Sequence, residues 1–429
     1  MVNNTEAKTD TAQYTKLQTQ VIIIGAGPGG ASASIFLTKA GIAHVILEKE
    51  TFPRDKICGD ACSGKTVFVL KKANPEWINE IFTDTDSNIA SHGVIFASPN
   101  GYKINIPFNP DKIIPGQAPG FVTPRLLFDD YLFKKIASPY ATVYQNASLK
   151  TIDRKDNEVK VQFSHEGEDF EITAPLIIGA DGDKSKVRKV LLKQNVANRA
   201  YCVGLRAYYK GVTGMHEKNF IELHFLPEVL PGYLWIFPLP NGMTNIGIGM
   251  MSEKIRDKKI NLREEMLNAL KNNPNISPRF TNAELIGKIQ GWGLPMCMKP
   301  QRLSGDNFLL VGDAASLIDP WTGEGIGNAL FSGMLAAYAA EESLKAGKFN
   351  DAFIKEKYDD VLFKRIGDEL KMSALLQRLS HYPWLFNFVV KKAHKSPTLN
   401  NAITSMFTNI DLRKELRKPS FYAKILLNK

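Results

Sequence analysis

Cysteine is scarce in this chain: Cys58, Cys62, Cys202 and Cys297 are the only four in 429 residues, and no two of them form a CxxC. That excludes a disulfide framework and gives no zinc-binding spacing, so a cysteine with a special role would have to act as a free thiol. Long apolar runs are missing as well. No stretch approaches the roughly 18 consecutive apolar residues that a membrane-spanning helix needs. The opening "MVNNTEAKTDTAQYTKLQTQ" is polar and mixed in charge, unlike a secretory leader. The chain is therefore expected to stay in the cytoplasm, with residues 1–17 as a disordered leader. Internal repeats and low-complexity tracts are absent too. What remains is ordinary globular material, 44% hydrophobic and 23% charged, long enough for two or three domains around a large core.

The formal charge of +10 raises the question of nucleic acid, but its distribution argues against it. Residues 391 to 429 hold nine Lys or Arg against two acids, a net of +7, so most of the excess lies in the tail. Beside and between those charges sit "YPWLFNFVV" and "FYAKILL", apolar clusters that suit an amphipathic surface rather than a phosphate backbone. Two readings stand: a solvated helical face with core residues, or a patch that touches the inner face of a membrane peripherally.

Along the chain, "TQVIIIGAGPGGASASIFLTKAGIAHVILEKE" reads as a strand (21–24), a glycine turn, a small-residue helix (29–40) and a second strand (44–48), which is a βαβ unit. Short strand-like pieces fill 92–122, helix returns at "TPRLLFDDYLFKKIA", and strands dominate 143–180 and 201–250. In "GAGPGG", Gly25, Gly27 and Gly30 make GxGxxG between strand and helix, with Gly29 beside them. The first permits a tight turn, the second lets a pyrophosphate approach the backbone, and the third lets helix and strand pack closely. Glu48 ends the next strand, where an acid accepts hydrogen bonds from an adenosine ribose. Its negative charge disfavours a 2′-phosphate.

Two later motifs choose between dinucleotides. "LIIGADGDKSKVR" puts Asp181 and Gly182 after an apolar strand, and "NFLLVGDAASLIDPWTGEGIGNAL" puts Gly312 and Asp313 after another, followed by Pro320 and a helix start at Gly325 and Gly327. An aspartate there can accept from a ribityl hydroxyl. The helix start can aim its N–H groups at the flavin N1/O2 edge, which becomes negative on reduction. A nicotinamide enzyme has no use for this second site.

At these residues the chain resembles the FAD-dependent oxidoreductases of the p-hydroxybenzoate hydroxylase fold, whose three fingerprints, GxGxxG, DG and GD, occur in order over roughly residues 18 to 345. The resemblance implies an α/β protein with a discontinuous Rossmann-like FAD-binding domain (18–75, 120–195 and 296–345). An inserted α+β, β-rich substrate domain (76–119 and 196–295) and a C-terminal helical region (346–429) complete it. It implies FAD contacts from Arg125 to the pyrophosphate, from the Leu149 backbone to the adenine, from Cys58, Gly59 and Ala61 in a flavin loop, and from Ile326 at the helix start. Read without the family, Arg125 is a helix-surface arginine paired with Asp129.

Within that fold, "FPRDKICGDACSGK" and "GYLWIFPLPNGMTNIGIGM" resemble the geranylgeranyl reductase branch, which carries a KxCG loop and YxWxFP followed by GxG. Tyr233, Trp235 and Phe237 alternate onto one face of a strand, Pro238 follows, and Gly247 and Gly249 come eight residues later. The aromatics are expected to hold an isoprenoid chain, with the glycines leaving room for it beside the flavin; the competing reading is a packed core. "GWGLP" at 291–295 lacks the WxWxIP signature of flavin halogenases.

The resemblance implies reduction of isoprenoid double bonds by hydride from reduced FAD, with Cys58 or an ordered water as proton donor. No second GxGxxG is present, so the reductant is NAD(P)H visiting the flavin or a small electron-transfer protein. Two other functions share these motifs: a flavin monooxygenase acting on an aromatic or lipid, and a non-catalytic lipid-binding protein that retains a flavin site.

Overall fold

The structure is a computed structural model that describes residues 14–108, 118–155, 157–196 and 200–396. Residues 1–13 of the expected leader and residues 397–429 of the basic tail lie outside that range. The leader expectation is corrected at its end, because Thr15–Gln18 forms a strand paired in parallel with Phe170–Thr173.

The strand Val21–Ile24, four β-branched residues buried throughout, lies at the middle of a six-stranded sheet. On one side it pairs in parallel with His44–Leu47 and then Ala141–Tyr144, on the other with Leu176–Gly179 and then Phe308–Leu310. A continuous apolar run is what a strand covered on both faces requires. The helix Pro28–Lys39 begins on proline and is buried over Pro28–Leu37. Its small residues let the helix Ile326–Ala346 approach closely enough that a Cβ on Gly333 would strike the Gly29 carbonyl. Ser32 Oγ donates to the Leu330 carbonyl across the same contact at 2.7 Å. A second sheet, Thr15–Gln18, Glu168–Ala174, Glu158–His165 and Ser148–Lys155, flanks this layer.

The β-rich half is one seven-stranded sheet in the spatial order Glu284–Pro295, Tyr201–Lys210, Met243–Met251, Gly232–Pro238, Ile221–His224, Gly93–Ala97 and Lys103–Pro107. Period-2 alternation separates two cores along Gly232–Pro238. Leu234 and Ile236 pack with Ile246, Ile248 and the helix residues Met266 and Leu270, whereas Trp235 and Phe237 join Phe96, Phe225 and Trp321 on the opposite face. Helix Glu76–Thr83 buries Ile78 and Ile81 in the core of the six-stranded half, so the chain crosses into the seven-stranded sheet only after it, at Gly93. The last described helix, Pro383–Lys395, returns to the sheet: Val390 and Ala393 are buried in the aromatic core, and His394 Nδ1 lies 2.8 Å from the Lys103 carbonyl.

Candidate active site

A single cavity of about 2110 Å³ runs from the glycine turn of the six-stranded half to the aromatic face of the seven-stranded sheet. At its first end the glycines divide their tasks. Gly25 adopts φ +97°, and a Cβ there would sit 2.5 Å from the Ala180 carbonyl; a Cβ on Gly30 would overlap the Gly25 carbonyl. Gly27 is the open one, facing only the Arg54 guanidinium at 3.4 Å from the position of a Cβ. Glu48, buried at the end of its strand, accepts from the N–H of Ala26 at 2.7 Å and of Glu50 at 3.0 Å, so it braces the turn it borders.

Arg125 is buried on the helix Arg125–Lys134 and grips Asp129 through two bonds of 2.6 and 2.8 Å. Arg54 bonds the same carboxylate at 2.8 Å and stacks on Phe52. The two guanidiniums therefore share one acid and leave net positive charge beside the open Gly27. Asp181 accepts from the N–H of Lys186 at 2.6 Å and of Val187 at 3.2 Å through one oxygen, while its other buried oxygen has no partner among the described residues. Burial pushes the carboxyls of Asp181 and Asp313 above the usual range. An unpaired buried acceptor is costly unless a ligand donates to it. An open glycine cradle, paired guanidiniums and an orphan acceptor fit a dinucleotide of the FAD type.

Between the two ends runs the loop 54–63, tied to the seven-stranded sheet by a network centred on Asp60. One Asp60 oxygen accepts from Tyr208 Oη at 2.7 Å and Asn245 Nδ2 at 2.8 Å, and the other from the Arg125 N–H at 3.3 Å. Asn245 also donates to the Cys58 carbonyl at 2.8 Å and accepts from Trp235 Nε1 at 2.8 Å. Burial raises the Asp60 carboxyl to about 6. Burial likewise raises the half-buried Cys58 thiol, with the Arg125 guanidinium opposing it, so the sulfur is protonated at neutral pH.

At the second end the rings form a continuous wall. Phe225 stacks on Trp321 at 5.1 Å between centroids and meets Phe386 at 4.5 Å and Tyr233 at 5.8 Å; Tyr233, Trp235 and Phe237 follow at 6.3 Å steps. Trp235 and Phe237 are 8% and 7% exposed, so they are core and cavity wall at once. Tyr233 Oη donates to the Thr322 carbonyl at 2.5 Å, joining the wall to the turn that precedes the helix Ile326–Ala346.

A model of the family described as FAD binding domain matches residues 18–337. The chain belongs to this FAD-binding family. Over 360 residues, 83% of each chain, it is 28% identical to a digeranylgeranylglycerophospholipid reductase of Methanosarcina mazei. It is 29% identical to a menaquinone reductase of Mycolicibacterium smegmatis, covering 74% of this chain and 75% of that one. Its fold is shared with a geranylgeranyl bacteriochlorophyll reductase-like protein of Thermoplasma acidophilum, with a TM-score of 0.78 at 22% identity over 94% and 99% of the two chains.

Within the FAD-binding fold most expected residues lie together. Gly25, Gly27, Gly29, Glu48, Cys58, Gly59, Ala61, Arg125, Leu149, Asp181, Gly182, Gly312, Asp313, Pro320, Gly325 and Ile326 line the cavity, as do Tyr233, Trp235, Phe237 and Gly249. Gly30 and Gly327 do not; Gly327 is closed over by the Glu324 carboxylate and Ser63 Oγ. Pro238 lies outside the cavity, opposite Thr244 at the strand end. The expectation for Gly247 is corrected: it pairs with Trp235 across the strands, and the indole lies over it, so the glycine makes room for the ring rather than for a ligand. Arg125 pairs with Asp129 as expected, but it is buried at the cavity wall rather than exposed on a helix surface.

The sequence reading missed Arg54, Asp60, Arg206, Tyr208, Asn245 and Glu324, and held Lys56 only as part of the KxCG loop. Glu324 is a carboxyl raised by burial, held by Ser63 Oγ at the start of the helix Ile326–Ala346. The charged residues packed into "PRDKICGD" were the available signal, because a loop that crowds four charges against a glycine turn seldom does so for solubility alone. Phe225, Trp321 and Phe386 gave none.

Proposed function

We propose that this protein is an FAD-dependent reductase of the carbon–carbon double bonds of an isoprenoid lipid chain. The observation that carries this reading is one continuous cavity, whose polar end fits FAD and whose other end is a wall of aromatic rings. A polyprenyl chain offers only apolar area and π-faces, and that wall matches both. The two curated relatives act, by their names, on a geranylgeranyl phospholipid and on a quinone.

Bound and reduced, FAD supplies a hydride from N5. The residues of the chain do the rest. Arg54, Arg125 and the open Gly27 hold the pyrophosphate, Glu48 the ribose, and Asp313 the ribityl chain. Trp235 and Phe237 press against Gly59, where a Cβ would lie 3.0 Å from the Phe237 ring, so the slot wall is also the support of the flavin loop. Cys58 keeps its proton through burial and delivers it to the alkene carbon that does not receive the hydride; the thiolate left behind faces the Arg125 guanidinium, which steadies it until solvent returns the proton. Addition of hydride and proton saturates the bond.

The electron donor in this reading is NAD(P)H or a small electron-transfer protein. Among the described residues no helix is long and apolar enough to cross a membrane. Trp384, 69% exposed, and the neighbouring lysines of the last described helix support peripheral contact with an anionic lipid surface. Mass spectrometry of lipids from cells with and without the protein tests the function. Isoprenoid species heavier by two hydrogens per double bond are expected only in its presence; an unchanged profile, or lipids bearing a new oxygen, would contradict it.

A further inference from the structure

One corner of the cavity, reached from the flavin loop, holds two basic side chains, Lys56 and Arg206, to which no FAD contact is assigned above; besides burial, the groups that act most on Lys56 are Asp313, Arg125 and Cys58. Lys56 projects over the Trp292 ring, 3.8 Å from its centroid, and among the described residues it makes no ion pair with a carboxylate. Burial pushes its ammonium down to about 8. Arg206, 3% exposed, gives one terminal nitrogen to Asp55 at 2.6 Å and stacks on Tyr208, but its buried Nε has no partner among the described residues. The buried Trp292 Nε1 has none either.

The strand register brings these donors together. Arg206 lies two residues from Gly204, hence on the same cavity-facing side, and the partner strand sets Trp292 opposite Gly204 and Gln290 opposite Arg206. Arg206 and Trp292 are thus diagonal neighbours on one face. Asp55, the partner of Arg206, precedes Lys56 directly and draws its loop toward the same corner. A desolvated ammonium and two unsatisfied N–H donors in one place are unfavourable in isolation, and an anion relieves all three.

We propose that Lys56, Arg206 and Trp292 form a subsite for the phosphate of the isoprenoid substrate's head group. This rests on the reductase reading above and deepens it, naming a phosphate-bearing lipid rather than a quinone. The FAD pyrophosphate has its own cations in Arg54 and Arg125 at the glycine turn. The subsite opens on the cavity that contains the aromatic wall, so one molecule can place its phosphate in the corner and its chain along the rings.

The test uses the FAD-loaded protein, reduced without oxygen, and two probes of equal chain length, geranylgeranyl phosphate and geranylgeraniol. Flavin reoxidation gives kcat/KM for each. Lys56→Met is expected to lower the preference for phosphate over alcohol by about 10- to 100-fold, the range for losing a charge-assisted hydrogen bond. Lys56→Arg should restore most of it. Trp292→Phe keeps the ring and removes the N–H, and should lower the preference by a smaller factor. An equal loss for both probes would overturn the proposal. So would loss of bound FAD with the preference intact, or a defect confined to reduction by NAD(P)H, because the lysine would then serve the cofactor or the donor. If the unmodified protein reduces neither probe, the reductase reading fails, and the subsite is judged by binding alone: geranylgeranyl phosphate must perturb the flavin spectrum at lower concentration with the unmodified protein than with Lys56→Met, and equal concentrations would overturn it.

Discussion

The two ends of the cavity are built on opposite principles. The flavin end is made by omission: Gly25, Gly27 and Gly30 matter because they lack side chains, and its polar contacts come from strand ends and helix starts that the backbone fixes. The aromatic end is made by bulk, with rings from a sheet strand, from the turn at Trp321 and from the last described helix meeting at Phe225. The glycine turn of the first is therefore local in sequence, and Gly25 and Gly30 admit no Cβ. The second is assembled from distant segments. The Asp60–Asn245–Trp235 network joins them, so a change at Trp235 should reach both ends, whereas a change at Phe225 should reach one.

The largest expected effect is at Gly30. Alanine there would drive its Cβ into the Gly25 carbonyl, so Gly30→Ala should give no soluble yellow protein. Recovery of a normally flavinated variant would break the idea that the flavin end is set by missing atoms. Next come the two rings. Trp235→Ala and Phe225→Ala should each destabilise the fold by ~3–5 kcal/mol, read from urea midpoints. Both should slow turnover of long-chain substrate by ~100-fold through misplacement of the reacting bond. Only Trp235→Ala should also weaken FAD binding, by freeing Asn245 and with it the flavin loop; equal FAD affinity in the two variants would remove the link between the ends.

A third test addresses the link through pH. Burial raises the Asp60 carboxyl from its ordinary 3.8 to about 6, so the folded protein holds this proton more tightly than the unfolded chain does. Its contribution to stability is full below about pH 4 and is lost as pH rises through about 6, a change of roughly 3 kcal/mol. Stability curves of the unmodified protein and Asp60→Asn should therefore converge or cross over that window, and a constant offset would contradict the assignment. The smallest effect belongs to Asp313. Removing its carboxylate in Asp313→Ala should weaken FAD about 10- to 100-fold through one lost charge-assisted hydrogen bond, measured by flavin retention on dilution, and an unchanged affinity would exclude it from the flavin site.

The same contrast explains what the sequence could show. The flavin end was legible because glycines at fixed spacing between strand and helix have few other uses, and Asp181 and Asp313 each come within three residues of the end of an apolar strand. The YxWxFP strand was legible because alternation alone puts Tyr233, Trp235 and Phe237 on one face. Gly247 was misjudged because spacing shows that a side chain is missing, not which neighbour fills the gap; the cross-strand register with Trp235 decides that. Asp60, Asn245 and Arg206 were invisible for a similar reason. The bonds Arg206–Asp55, Tyr208–Asp60 and those of Asn245 to Cys58 and Asp60 each span more than a hundred residues, and nothing in a hydrophobic pattern marks a buried polar side chain as satisfied.

The most direct test of the account is a single turnover without oxygen. Protein with its FAD fully reduced is mixed with a geranylgeranyl lipid, and flavin reoxidation and the mass of the lipid are followed together. The account predicts one flavin oxidised for each double bond saturated, with two hydrogens gained and no oxygen. Flavin that stays reduced until oxygen is admitted, and then yields a lipid carrying a new oxygen atom, would contradict it.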